Sequence, residues 1–295
     1  MSDDQTITNA LSFDIEDWFH IVGIEGLDEP ERWPTLPTLV ERCTDGILET
    51  LAARRVRATF FILGWIAERY PALVRRIGDQ GHELASHSYW HRRVFDLSPQ
   101  EFDEDLARSI DAIESASGRR VIGYRAPSFS ITPGSEWAID ALLKRGLRYD
   151  ASLFPVPRGD GGYPCEPGPH HFRGMPELPM STMSLFGRRL AFSGGGYLRL
   201  LPPWLIRRGF SQVHAKGLPV VVYLHPRDFA PDCPRVPMPL SRRFKCYVGL
   251  RTTQAKLEML LGRYRFDTCA AVLGVEASAD ATVEPSQAPH GATRS

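Results

Sequence analysis

Short apolar runs alternate with stretches of helical spacing along most of this chain. Thr8 to Phe13 is an apolar, β-leaning run ending in acids, Asp14-Ile15-Glu16-Asp17, which predicts a first strand with functional residues at its carboxyl end. Trp18, Phe19 and His20 follow, then a Gly/Pro-punctuated loop to Pro37. Leu39, Ile47, Leu48 and Leu51 give Thr38 to Arg54 helical spacing, and Arg57 to Leu63 reads as a second strand, β-branched and aromatic. Gly64 to Arg76 predicts a helix that breaks at Pro71, where a second one starts. His82 to Ser86 is a short third strand. Ser98-Pro99-Gln100-Glu101 supplies an N-cap, a first-turn proline and a capping-box acid, predicting a helix to Ser117. Val121 to Arg125 is the next strand, and Ser135 to Gly146 the next helix, with Gly146 as its C-cap.

This alternation is the pattern of an α/β fold with parallel strands, which places chemistry at the carboxyl ends of its strands. From about Pro155 to Pro203 the rhythm breaks into Gly- and Pro-rich sequence, read as long ordered loops with short strands. Leu205 to Lys216 is helical, Leu218 to Leu224 is the clearest strand and ends in His225, and Thr253 to Tyr264 is a late helix. The expected organisation is one domain over residues 1–274, with the loop insertion at 155–203, and a small, polar tail at 275–295 expected to be disordered. The triple glycine Gly194-Gly195-Gly196 is not a phosphate loop. No Gly-Lys-Ser/Thr follows it, and it is expected to lie outside a strand-to-helix turn.

Composition changes the picture mainly by exclusion. Lys+Arg and Asp+Glu are equal at 35 each in 295 residues, so no basic footprint argues for nucleic acid. The polar, acidic start MSDDQTITNA has no signal-peptide pattern, and no apolar run is long enough for a membrane span, so a cytoplasmic location is expected. Cys43, Cys165, Cys233, Cys246 and Cys269 are scattered and odd in number, without C-x-x-C, and read as reduced thiols.

The candidate chemistry centres on His87 and His91. Two histidines four residues apart share one face if the segment makes a helical turn. With one carboxylate from the early acidic cluster, and a position left for water, they make the pattern of a catalytic metal site.

With these residues assembled, the chain resembles the polysaccharide deacetylases of carbohydrate esterase family 4, the NodB-homology fold, over about residues 7 to 270. The likeness is carried by Ala58-Thr59-Phe60-Phe61 and by Gly81-His82-Glu83-Leu84-Ala85-Ser86-His87 through His91. Phe13-Asp14-Ile15-Glu16-Asp17-Trp18-Phe19, Glu177-Leu178-Pro179, Gly194-Gly195-Gly196-Tyr197 with Arg199-Leu200-Leu201-Pro202, and Tyr223-Leu224-His225-Pro226 resemble an exosortase-associated subfamily of exopolysaccharide loci.

The resemblance implies a distorted (β/α) barrel with fewer than eight strands and metal-dependent removal of an N-acetyl group from an amino sugar. Asp14 would be the base, Arg125 its ion-pair partner, His225 the acid, and Asp150 the group orienting His225. The metal, zinc first with cobalt, nickel or iron as alternatives, would sit on His87, His91 and an early carboxylate. The family's usual adjacent Asp pair is here interrupted by Ile15, leaving Glu16 and Asp17 both open as the third ligand. The usual Trp of the Asp150 motif is not evident; Leu153, Phe154 and Leu224 are candidates for the acetyl-methyl pocket. Trp18, Phe19, Trp90 and Tyr197 are candidates for a sugar-stacking floor. His82 reads as a supporting or packing residue, and His20, His170 and His171 as surface or substrate-loop residues.

The expected partner is an N-acetylated oligo- or polysaccharide of an exopolysaccharide or its precursor, conceivably lipid-linked; the oligomeric state is open. Two alternatives stand beside this reading. One is hydrolysis of another small-molecule amide on the same fold. The other is a non-catalytic carbohydrate-binding protein.

Overall fold

A computed structural model describes residues 6–27, 29–156 and 161–275. The expected tail beyond Val275 lies outside the described residues. The strands are β1 (Thr8–Ile15), β2 (Thr59–Ile62), β3 (Glu83–Ser86), β4 (Gly123–Tyr124), β5 (Tyr149–Asp150), β6 (His170–Phe172), β7 (Met175–Glu177), β8 (Thr182–Leu185), β9 (Arg188–Ala191), β10 (Val221–Leu224) and β11 (Arg265–Asp267). The helices are α1 (Val40–Arg54), α2 (Gly64–Arg69), α3 (Pro71–Asp79), α4 (Pro99–Ser117), α5 (Trp137–Lys144), α6 (Gly195–Leu200), α7 (Pro203–His214), α8 (Leu240–Tyr247), α9 (Thr253–Arg263) and α10 (Cys269–Leu273).

One curled sheet organises them, in the order β10-β1-β2-β3-β4-β5-β7-β6, with β11 also paired to β1. Its pairings are parallel except for the β6–β7 hairpin, and β8 and β9 form a separate antiparallel pair. The result is an open α/β half-barrel, as expected from the alternation of strands and helices. Its central strand, β1, is buried from Asn9 onward, so the alternation of side chains serves two cores. Phe60 and Ile62 of β2 face the helix layer with Phe13, Ile47, Leu51 and Ile66. Phe61 points the other way, into the curl, with Ala85, Tyr149, Ala151 and Val221.

Local rules explain most of the helices. Val40, Cys43, Ile47, Leu48 and Leu51 form the buried stripe of α1. Pro71 divides α2 from α3, as its missing N–H requires. Ser98 and Glu101 form the expected capping box on α4, and Gly118 ends it in the left-handed conformation.

Two expectations change. The segment after β9 is a strand-to-helix turn, so the triple glycine does sit at such a turn: Gly195 opens α6. It still holds no phosphate-loop residues, and the glycine answers to packing, since a Cβ on Gly194 would lie 1.8 Å from Tyr223 Cε1. The segment carrying His87 and His91 is not helical. It is an irregular loop in which Ser88 and His91 take positive φ of 70° and 56°.

Candidate metal centre and catalytic groove

The carboxyl ends of β1, β3 and β10 bring the expected residues together. Glu16 follows β1, His87 follows β3, and a loop returns His91 beside them. One ligand atom from each of Glu16, His87 and His91 falls within 4.8 Å of the others, and all three residues are buried. The loop that achieves this is held by Asp105 of α4. Its Oδ2 accepts from Ser88 Oγ at 2.6 Å and Tyr89 N at 2.7 Å, and its Oδ1 from Trp90 N at 3.0 Å. Three donors on one buried carboxylate offset the cost of positive φ at Ser88 and His91.

The donor chemistry fits a divalent cation. His87 Nδ1 lies 2.7 Å from the Arg125 carbonyl oxygen, which can only accept; Nδ1 therefore carries the proton and Nε2 keeps its lone pair. Burial, partly offset by Asp14, lowers the His87 pKa to about 4, which keeps the ring neutral as a ligand must be. Glu16 Oε2 approaches His91 Nε2 to 2.7 Å yet has no hydrogen-bond partner among the described residues. Burial opposes the Glu16 charge, but His91, His225 and His87 outweigh it and hold the carboxyl well below the usual range. Two nitrogens and one ionised oxygen within 4.8 Å of one another form a zinc-type donor set.

Asp17, the other carboxylate left open by the sequence, is committed elsewhere. It accepts from Trp18 N at 2.8 Å, Thr38 Oγ1 at 2.5 Å, Leu39 N at 3.0 Å and Val40 N at 3.2 Å. It thus caps α1 from a distant segment, satisfying N–H groups that helix cannot satisfy itself.

Beside the donors lie Asp14 and His225, the residues expected as base and acid. Arg125, fully buried, donates from Nη1 to Asp14 Oδ1 at 2.7 Å and to Ser12 Oγ at 2.8 Å, and its guanidinium stacks 4.0 Å over Phe61. The free face of Asp14, Oδ2, is 3.9 Å from His225 Nε2, which is also 3.6 Å from Glu16 Oε1. Asp150 does not orient His225, as the sequence had suggested; its Oδ1 accepts from Ser152 Oγ at 2.5 Å and its carboxyl pairs with that of Glu177. Asp228 takes that place. Its Oδ2 is 3.1 Å from His225 Nδ1, and Arg199 Nε lies 3.0 Å from its Oδ1. Burial alone would lower the His225 pKa, but the Asp228 carboxylate more than reverses this, so the pKa is raised.

Sequence reasoning missed Asp105, Asp228 and Arg199. Only Asp228 carried a local signal. It stands three residues after His225, across Pro226, in the spacing of a capping box, and it does accept from His225 N at 3.0 Å.

Other expectations fall differently. His20 is buried, not on the surface: its Nδ1 accepts from Asp17 N at 2.8 Å, and its ring packs among Phe19, Trp33 and Trp65. Trp18 and Phe19 belong to the core and Trp90 packs against it, leaving Tyr197 as the stacking candidate that lines the groove. His82 packs on Phe60 and accepts from Ala58 N, as expected. His170 and His171 lie on the edge strand β6. Leu153, Phe154 and Leu224 are buried and do not line the groove. A cavity of about 960 Å³ opens from Glu16 and His225 and runs between α6 and α8.

Residues 31–148 match a family described as polysaccharide deacetylase, and residues 151–274 match a domain of unknown function, DUF3473. Among curated relatives, a chitooligosaccharide deacetylase of Rhizobium leguminosarum bv. trifolii is 38% identical over 109 residues, covering 36% of this chain and 48% of the relative. A peptidoglycan-N-acetylglucosamine deacetylase of Bacillus cereus is 33% identical over 125 residues, covering 36% of this chain and 43% of the relative. The chain thus spans less than half the length of these relatives. The crystal structure of a polysaccharide deacetylase candidate from Mycobacterium smegmatis superposes with a TM-score of 0.61 at 22% identity, covering 93% of this chain and 91% of that one; at that identity the likeness shows the fold. These matches show that residues 31–148 are similar to polysaccharide deacetylases.

Proposed function

We propose, for a chain allied to the polysaccharide deacetylases, that it is a divalent-metal-dependent N-deacetylase acting on amino sugars of an exopolysaccharide or its precursor. The observation that carries this reading is the convergence of Glu16, His87 and His91 within 4.8 Å, with Asp14 and His225 facing each other beside them. Glu16, His87 and His91 would hold a divalent metal, zinc or a similar ion, which would acidify a bound water and polarise an acetyl carbonyl.

The chain's own residues do the rest. Arg125 holds Asp14 by Oδ1, leaving Oδ2 to take the proton of the attacking water as its oxygen bonds to the carbonyl carbon. The C–N bond then breaks, and His225 Nε2 gives a proton to the departing amine. Asp228 fixes the Nδ1 proton of His225 and favours the charged ring from which that proton comes. The products are acetate and a free amino sugar. The groove continues well beyond the catalytic residues along α6 and α8, which suits a saccharide chain better than a small-molecule amide.

The test is acetate release from N-acetylglucosamine oligomers and from crude exopolysaccharide, using protein as purified, after chelation, and after zinc or cobalt is restored. Metal-restored acetate release is expected. Absence of both metal binding and acetate release would shift the weight to a carbohydrate-binding role.

A further inference from the structure

The balanced total charge conceals an uneven distribution. Residues 178–257 contain 13 Lys and Arg but only two acids, Asp228 and Asp232. Asp228 is spent on His225 and Arg199, and Asp232 on Arg42. Part of this segment lines one wall of the groove, with Arg199, Arg227, Arg242 and Lys245 among its cations.

Helix α8 on that wall is turned the unusual way round. None of its residues is buried. Its inner side is held by polar bonds: Arg199 donates to the carbonyls of Lys245 at 3.0 Å and Cys246 at 3.1 Å, Arg227 to that of Cys246 at 3.0 Å, and Arg242 to that of Gly23 at 2.8 Å. Its apolar ridge points outward, with Leu240 81% and Phe244 55% exposed, one turn apart. Arg243 and Lys245, both exposed, follow that ridge on either side. Leu200 at the end of α6, 48% exposed, rims the same cavity as Leu240 and Phe244, and Trp204, 60% exposed, stands four residues on. Three of the seven large hydrophobic side chains exposed among the described residues, Leu200, Leu240 and Phe244, therefore line this groove. A surface helix ordinarily turns its apolar stripe to the core.

We propose that this wall docks on an anionic lipid bilayer, with Leu200, Leu240 and Phe244 entering the interface and the flanking cations meeting lipid phosphates. Aliphatic and aromatic side chains followed by the exposed cations Arg243 and Lys245 are complementary to a negatively charged membrane surface. A sugar chain alone offers the aliphatic ridge nothing to bury it. No helix of the described residues is long and apolar enough to cross a membrane, so the contact is with the surface. If the deacetylase reading holds, on which this clause rests, the groove mouth then meets saccharides carried at the bilayer surface.

Flotation with vesicles tests the proposal on the full chain, using phosphatidylcholine alone and phosphatidylcholine mixed with phosphatidylglycerol, at low and high salt. The wild type is expected to float with the anionic vesicles and to be released by salt. Arg243→Glu should weaken that binding about five-fold or more, and Leu240→Ser with Phe244→Ser should abolish it, with melting temperatures reporting that each variant is folded. Asp14→Asn should float like the wild type, which separates this proposal from the deacetylase reading. No flotation of the wild type at low salt would overturn the proposal. So would equal flotation of the folded Leu240/Phe244 variant, or a wild-type dimer that this variant abolishes.

Discussion

The metal corner and the acid wall meet across a few ångströms but are built on different principles. The metal corner is a product of the sheet: Glu16 and His87 sit at the ends of parallel neighbours of β2, and Asp105 on α4 fixes the loop to His91. The acid wall hangs from side-chain bonds that join sequence-distant loops. Arg199 and Arg227 tie α8 in place through backbone carbonyls, and Asp228 answers to both Arg199 and His225. Strand ends frame Glu16 and His87, whereas His91, on the loop, depends on Asp105. A wall hung on a few guanidinium groups has fewer redundant supports, so substitutions there should alter how a proton or substrate is handled before they alter metal binding.

His87→Ala tests the corner most severely. It should bind no stoichiometric metal and lose essentially all turnover while remaining folded; full metal occupancy in the purified variant would remove His87 from the ligand set. Asp14→Asn comes next. It should keep its metal but lose about 10²–10⁴-fold in kcat, the usual worth of a general base. A near-wild-type rate would end the base assignment, and a melting curve is needed alongside because a buried Arg125 without its counter-charge is costly. Asp105→Ala should weaken metal affinity about 10–100-fold by releasing the loop, measured by chelator competition. On the opposite wall, Asp228→Asn should leave metal binding intact. It should lower kcat and move the high-pH limb of the rate profile to lower pH, because the carboxylate that raises the His225 pKa is gone. An unmoved limb with unchanged kcat would detach Asp228 from His225.

The same contrast explains what could be read in the chain. The strands β1, β2, β3 and β10, the helices α1 to α5, and the break at Pro71 follow from apolar period, capping and proline chemistry, all of which are local. Asp14, His87 and His225 were legible because they stand at the ends of such elements. Asp105 was not, since a buried acid in a helix looks like any polar position until its three loop donors are known. Glu16 and Asp17 were indistinguishable for a related reason: the residue that caps α1 lies 23 positions before the N–H it satisfies. The outward ridge of α8 was hidden by the opposite effect. Leu240 and Phe244 have the spacing of a buried face, and only the carbonyl bonds on the other side of the helix turn them to solvent.

The buried pair of Asp150 and Glu177 gives the smallest effect and lies apart from both regions, at the β5–β7 pairing. Asp150 Oδ2 and Glu177 Oε2 are buried and have no hydrogen-bond partner among the described residues, so the pair is satisfied only by a proton held between them. Burial first, then the neighbouring Asp150, pushes the Glu177 pKa well above its ordinary value. An acid whose folded pKa is raised contributes stability that is complete below its unfolded pKa and is lost as pH rises through the folded one. Stability should therefore decline from about pH 4.5 upward through the raised pKa. Glu177→Gln keeps a donor toward Asp150 without a titrating proton. It should flatten that slope and leave the variant within about 1–2 kcal/mol of the wild type near neutral pH. Denaturant melts across the pH range decide the matter: parallel pH profiles for the two proteins would mean the proton is not shared there.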